Sequence, residues 1–359
     1  MLKRIRYFKQ MYPLRSIAKD LVLFPIDYYF GRRPIRTVRN ITVAITNACN
    51  IRCDMCYFSN ALTNAEKLPY PLFQKLMDEV AFSKPCVILT GGEPFTHPDL
   101  VRMVQYAKEK KLAVQIFTNG TLVTPELAEC LTGLGLNYIN FTLLGTPDVH
   151  DRIARVAGTY ERFKKNLSYF AAHRKKTKVI LNYTITPENI GMIDYPMELA
   201  AVLRLDGVRL QHYNCLHAKE LKRHTSVMTR MFDLPAQTNE TINDADLGEF
   251  RGRLLDSTKR IGHVYKGIAV QWAPTLSREE IETWYGDKPF TTDRKCLFPW
   301  RGIVVGADGR VYPCSKIYMQ LGDINKEPLD LIWNNAVTNT FRDKLKNGLF
   351  PACARCCKL

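Results

Sequence analysis

"ITVAITNACNIRCDMC" (Ile41–Cys56) joins a short apolar run to cysteines at 49, 53 and 56. The run "ITVAI" reads as a buried strand, and the spacing after it is Cys-x3-Cys-x2-Cys. The same arrangement recurs downstream. Strand-like runs are "CVILT" (86–90), "AVQIFT" (113–118), "YINFTLL" (138–144), "KVILNYT" (178–184) and "GVRLQHY" (207–213), with amphipathic helical stretches near 69–82, 97–111, 124–133, 160–174 and 194–204. Parallel neighbours need long crossovers, so short apolar strands that each lead into a helix imply a parallel sheet. The pattern predicts an α/β fold of six βα units, either closed as a partial (β/α)6 barrel or open and doubly wound. Either way the working face lies at the carboxyl ends of the strands. The cysteine triplet follows strand one, "GGEP" (Gly91–Pro94) follows strand two, and Asn119 and Gly120 follow strand three. All three land on one rim.

The chain has eleven cysteines, an odd count gathered mainly in two clusters, which argues for metal rather than a disulfide framework. Cys86, Cys130 and Cys215 stand apart and read as small core residues. A structural zinc site closes with four protein ligands, commonly as paired Cys-x2-Cys units. Cys49, Cys53 and Cys56 supply three with a different spacing and no histidine nearby. A cubane of four irons asks for one ligand per iron, so three thiolates leave one iron open. Zinc stays as the competing reading.

Set together, the triplet after strand one and "GGEP" after strand two resemble the radical S-adenosylmethionine (SAM) superfamily. The resemblance implies a 4Fe–4S cluster on Cys49, Cys53 and Cys56, with SAM chelating the open iron and being cleaved to a 5′-deoxyadenosyl radical that abstracts hydrogen from substrate. It implies that Gly91, Gly92, Glu93 and Pro94 hold the methionyl amino group, with Asn119 and Thr142 further along the SAM site. Glycines permit close backbone approach, and a carboxylate accepts hydrogen bonds from an ammonium. The stretch 142–167 is similar to the family's fourth-strand segment at His150, Asp151, Gly158 and Thr159, but Leu144 stands where an acid is usual and Thr142 where serine is. Asn182 and Thr184 on strand five and Gln211 on strand six point at the same rim, against a plainer reading as strand-end polar residues.

Beyond the six units, residues 216–290 read as a last barrel helix and a connector that contains a helix near 246–261 and a strand-like "GIAVQW" (267–272). From Cys296, "GIVVGADGRVYPC" is a hairpin around an Asp-Gly turn, followed by a short helix and "CARCC". Cys296, Cys314, Cys353 and Cys356, with Cys357 adjacent, look like the abbreviated SPASM module called twitch. That likeness implies one auxiliary 4Fe–4S cluster that accepts or relays a substrate-radical electron. The expected organisation is a basic amphipathic segment over 1–39, a radical SAM core over 40–215, the connector over 216–290 and an α+β hairpin module over 291–359.

The formal net charge is +16, and residues 1–39 carry ten basic and two acidic side chains beside an apolar helical pattern. Such a segment suits an anionic membrane surface, or else an N-terminal helix packed on the barrel with a solvated basic face. No run long enough to span a bilayer and no secretory signal is legible, so the expected location is cytoplasmic, peripheral to the inner membrane face if the segment binds there. The expected partners are an electron donor such as flavodoxin or ferredoxin and a lipid or anionic small-molecule substrate, with no nucleic acid. A ribosomal peptide or a sugar/aminocyclitol is the alternative substrate, and a zinc-binding nucleic-acid-binding protein is the alternative of another class.

Overall fold

The computed structural model describes residues 28, 29, 38–56, 65–234, 242–262, 264, 265, 267–286, 290 and 292–359. Almost all of the basic segment 1–39 lies outside them. Among the described residues no helix is long and apolar enough to cross a membrane.

The core is β1 (Asn40–Thr46), α1 (Tyr70–Val80), β2 (Cys86–Gly91), α2 (Leu100–Glu109), β3 (Ala113–Thr118), α3 (Pro125–Gly133), β4 (Tyr138–Leu143), α4 (Pro147–Ala154), α5 (Thr159–His173), β5 (Lys178–Thr184), α6 (Tyr195–Val202) and β6 (Gly207–Gln211). Strand order settles what periodicity leaves open. β1 to β6 are hydrogen-bonded in sequence order and all in parallel. A doubly wound sheet needs a reversal in strand order, and there is none here. Right-handed crossovers in one direction put the helices on one face, and the sheet curls around the other as a partial barrel. Alternation along the strands agrees. Ile139, Phe141, Val179, Leu181, Val208 and Leu210 are buried in the apolar core, so Asn140, Thr142, Asn182, Arg209 and Gln211 take the opposite, luminal face.

After β6 come α7 (Ala218–Phe232), α8 (Gly248–Arg260), β7 (Val264–Tyr265), β8 (Ile268–Ala273) and α9 (Arg278–Trp284). The run expected within a connector is therefore a further barrel strand: β8 pairs in parallel with β6, because Val270 and Trp272 join the same core while Gln271 takes the luminal side opposite Arg209. The hairpin forms as expected from β9 (Gly302–Val305) and β10 (Arg310–Tyr312), with β11 (Gly322–Asp323) beside it, before α10 (Leu329–Asn334) and α11 (Ala336–Lys346). It is not a sheet of its own. β9 pairs in parallel with β1, Asn40 opposite Gly302 and Val43 opposite Val305, so one 11-stranded sheet runs through both cysteine regions. Two side-chain contacts add to the seam: Lys75 Nζ donates to the Ile324 carbonyl at 2.9 Å, and the Leu329 N–H to Glu79 at 2.8 Å.

Of the isolated cysteines, Cys86 and Cys215 are buried as expected. Cys130 is exposed, because it lies on α3 next to the buried Leu131 and on the other side of the helix.

Candidate active site

The cysteine loop hangs from the carboxyl end of β1 and is braced from behind. The N–H groups of Arg52 and Asp54 donate to the carbonyls of Ala154 and Ile153, at 3.1 and 3.2 Å, so the C-terminal end of α4 serves as its backing. Those carbonyls have no partner within their own helix and the loop satisfies them. Arg155, in the left-handed conformation that ends α4, pairs with Asp54. The periodic pattern misses α4, although Thr146 and Pro147 are a plausible start signal for a helix.

His150 and Asp151, which match the family's fourth-strand segment, act in this bracing. His150 is buried between Tyr160 and Phe163, takes the Leu144 N–H at 3.3 Å and is held neutral, its pKa pushed by burial down to about 4. Asp151 accepts from the backbone N–H groups of Gly158 at 2.6 Å and Tyr160 at 2.7 Å, capping α5.

The two glycines of "GGEP" are required by the protein's own backbone. A Cβ on Gly91, whose φ is +128°, would lie 2.1 Å from the Thr46 carbonyl oxygen, and one on Gly92 would lie 2.2 Å from that of Ala48. The N–H groups of Gly92 and Glu93 donate to those same carbonyls, each at 2.8 Å. The close approach expected toward a ligand is thus, in this fold, between the ends of β1 and β2.

Glu93 departs from expectation in the same way. Its side chain is fully enclosed and takes the Thr118 hydroxyl and the Asn119 N–H, each at 2.7 Å, and the Phe95 N–H at 3.2 Å. Burial raises its pKa to about 7 against those hydrogen bonds. Its carboxylate is spent on the end of β3 and is not open to an ammonium. Pro94 starts the short helical turn that follows, and is buried.

What Glu93 fixes is Asn119. That amide donates to Asn50 at 2.9 Å and stands 4.0 Å from the Cys49 sulfur, and its oxygen takes the Thr121 hydroxyl at 2.6 Å. Asn50 donates in turn to the Thr121 hydroxyl at 2.8 Å. Asn50 and Thr121 escape the motif reading, yet they tie the triplet to the β3 rim.

Further round, register aligns Thr142 on β4 with Asn182 on β5, Arg209 on β6 and Gln271 on β8, one luminal row across four strands. Gln211 lies one step nearer the rim, opposite Thr184. In this row the Asn182 side-chain oxygen and Arg209 Nε are buried without a hydrogen-bond partner. Arg209 and Gln271 were not singled out from the sequence. A charged side chain at an inward strand position between Val208 and Leu210 was the available signal.

The second set of thiols comes within electrostatic reach of Arg209 through Cys357. Cys296, Cys314 and Cys353 act electrostatically on one another, Cys356 feels Cys314, and Cys356 and Cys357 are hydrogen-bonded. The bond from Cys356, with Arg209, Lys358 and Lys316 nearby, holds the Cys357 thiol well below its usual value. The tail is anchored by Arg355, 0% exposed, whose guanidinium donates to the Trp284 carbonyl at 2.6 Å and pairs with Glu220 at 2.5 Å. Both cysteine regions fit the chemistry of an iron–sulfur donor set. Burial raises the thiols of Cys49 and Cys296 to about 11, so a metal has to displace their protons. Among the described residues no three Cys, His, Asp or Glu side chains converge on a point that would hold one metal ion, whereas a cubane takes one thiolate per iron.

Comparison with known proteins agrees with this arrangement. Residues 43–199 match the profile of the Radical SAM superfamily, and residues 296–357 that of an iron–sulfur cluster-binding domain, SPASM. The chain is 26% identical over 351 residues to a tungsten-containing aldehyde ferredoxin oxidoreductase cofactor-modifying protein of Pyrococcus furiosus, covering 89% of this chain and 87% of that one. It is 27% identical over 305 residues to an AdoMet-dependent heme synthase of Methanosarcina barkeri, covering 83% and 82%. The fold is shared with Streptococcus suis SuiB bound to its precursor peptide SuiA, at a TM-score of 0.63 and 14% identity over 90% of this chain and 69% of that one. The first domain brings with it a 4Fe–4S cluster and SAM, and the second an auxiliary iron–sulfur cluster. With barrel, cysteine loop and second cysteine module joined in one sheet, the chain belongs to the radical SAM superfamily, as an enzyme of the SPASM-containing kind.

Proposed function

We propose that this enzyme abstracts hydrogen from an anionic small molecule that presents a carboxylate to Arg209. Cys49, Cys53 and Cys56 hold the SAM-binding cluster in this reading, and Cys296, Cys314 and Cys353 hold the auxiliary one together with Cys356 or Cys357. Bound on the triplet, a 4Fe–4S cluster supplies the electron that cleaves SAM to the 5′-deoxyadenosyl radical, a small protein such as flavodoxin or ferredoxin being the source. The chain's own work is placement. Glu93 and Thr121 orient Asn119 against the triplet, and the luminal row from Thr142 to Gln271 faces the substrate space.

The observation that carries the substrate class is the Arg209 guanidinium. Its Nε is buried and unbonded, opposite Asn182, whose side-chain oxygen is equally unbonded, and within electrostatic reach of Cys357. A guanidinium matches a carboxylate in a fork of two hydrogen bonds, and a buried N–H left without an acceptor is costly. The relative named for heme synthesis suggests the first molecules to try, because heme is a tetrapyrrole that carries carboxylate side chains. The lipid expectation is not carried forward. It rested on residues 1–39, nearly all outside the described ones, and relatives are named for heme synthesis, for modifying an enzyme cofactor and for peptide cyclisation, none for a lipid.

The test is anaerobic incubation of reconstituted enzyme with SAM, dithionite and an iron porphyrin tetracarboxylate, following 5′-deoxyadenosine and product mass. Substrate-dependent turnover should fall at least tenfold in Arg209→Gln, with SAM cleavage in the absence of substrate unchanged. Parent-level turnover in that variant would remove Arg209 from substrate binding. No reaction with any carboxylated tetrapyrrole would remove that class.

A further inference from the structure

The auxiliary cysteines gather around a buried lysine. Lys316 is 4% exposed, and its ammonium donates to the Ala354 carbonyl at 2.7 Å, inside the turn between Cys353 and Cys356. Its neighbour Ile317 donates its N–H to the Cys314 sulfur at 3.3 Å. One side chain thus joins the Cys314 turn to the tail turn. Its positive charge favours the ionised forms of Cys314, Cys353, Cys356 and Cys357. A lysine is seldom buried so deeply unless anionic groups surround it, and thiolates carrying an iron–sulfur cluster are such a surrounding.

Other cations also act on these thiols, Lys358 on Cys314 and Cys357 and Arg209 on Cys357, but none bridges the two cysteine turns as Lys316 does. Lys358 sits over the Phe298 ring at 3.3 Å but is exposed, where solvent and salt screen it. Arg355 is balanced by Glu220. Arg209 belongs to the luminal row. Coulomb interactions grow as the local dielectric falls, and Lys316 is the cation that acts on Cys353 and Cys356.

We propose that Lys316 sets the reduction potential of the auxiliary cluster. Cluster potentials follow net charge, hydrogen bonding and solvent exposure at the site. Reduction takes up one electron and adds one negative charge to the cluster and its thiolates. A fixed ammonium beside them stabilises the reduced form more than the oxidised form and raises the potential. The inference rests on the reading that the tail cysteines hold a cluster.

The experiment is a redox titration monitored by electron paramagnetic resonance, with dithionite as reductant. It uses full-length reconstituted protein in which Cys49, Cys53 and Cys56 are alanine, so that one cluster remains. A background with neither iron nor sulfide overturns the auxiliary-cluster reading, and the lysine's role with it. With the cluster present, Lys316→Gln should lower its midpoint by at least a tenfold change in the electron equilibrium, about 59 mV for one electron. Lys316→Arg, which keeps the charge, should stay near the parent. An unchanged midpoint in a loaded Lys316→Gln overturns the proposal. If the glutamine variant does not retain its cluster, the arginine variant decides: the parent midpoint supports the charge role, and a drop as large as tenfold overturns it.

Discussion

Glu93 and Asn119, 26 residues apart in sequence, meet through a backbone N–H donated to the carboxylate at 2.7 Å inside a fully enclosed pocket. The motif residue expected to face the cosubstrate instead holds the residue that reaches the cysteine loop. Glu93→Gln removes an acceptor and sets an amide N–H against a donor. We expect a loss of about 1–3 kcal/mol and weaker retention of iron at the triplet, checked by thermal unfolding and iron analysis.

The same carboxyl gives a signed pH dependence. Burial raises its folded-state pKa from 4.5 to about 7, so between those values the folded form holds more proton than the unfolded form. Its contribution to stability is therefore full below about pH 4.5 and is lost as pH rises through 7. Relative to Glu93→Gln, which has no proton to exchange here, the parent should gain in melting temperature on going from pH 7.5 to pH 5. A difference that stays flat or runs the other way would refute the assignment.

Replacing Gly91 by alanine puts a methyl 2.1 Å from the Thr46 carbonyl oxygen at a φ of +128°. The cost should be about 3 kcal/mol or more, because backbone and not a flexible side chain has to move. Gly252, within α8 with nothing within 4 Å of its would-be Cβ, is the contrast. There the change to alanine should stabilise by about 0.5–1 kcal/mol. Melting curves of the two single variants are sufficient.

Iron and sulfide counts separate the two cysteine sets. Alanine at Cys49, Cys53 or Cys56 should remove about half the iron and abolish SAM cleavage. Alanine at Cys296, Cys314 or Cys353 should remove the other half and leave substrate-free cleavage measurable. Cys356→Ala and Cys357→Ala, compared side by side, identify the fourth tail ligand, since only the variant at the ligand should lose iron.

Asp151→Ala deletes the carboxylate oxygens that accept the Gly158 and Tyr160 N–H groups at the start of α5. A cost of about 1–2 kcal/mol is expected. Because α4 backs the cysteine loop, SAM cleavage should fall as well, and Asp151→Asn should restore part of both.

Much of this was legible in the chain. β3 and β5 begin and end where their apolar runs do, since a strand buried on one face and bounded by polar turns announces itself. The triplet and "GGEP" were legible as a pair because both follow strands. Topology was not: periodicity is blind to strand order, so the barrel, the pairing of β8 with β6 and that of β9 with β1 needed the fold. Side-chain direction was equally hidden. Glu93 turns inward, Gly91 yields to Thr46, and Arg209 leaves its Nε unbonded on the lumen, all consequences of neighbours distant in sequence. Lys316 and Arg355 were invisible among so many basic residues, because only burial distinguishes them.

The pairing of β1 with β9 bears on how the molecule is made. As the chain leaves the ribosome, the strand carrying the triplet gains β2 early, but its other edge stays unpaired until residues 302–305 have been synthesised. An open strand edge is a template for wrong partners. A fragment ending near residue 290 would keep that edge for good, and would also lose the anchors from Lys75 to Ile324 and from Glu79 to Leu329. Iron delivered to the first loop thus meets a finished scaffold only after the second cysteine region exists, which makes loading of both stations a late event in the life of one cooperative body.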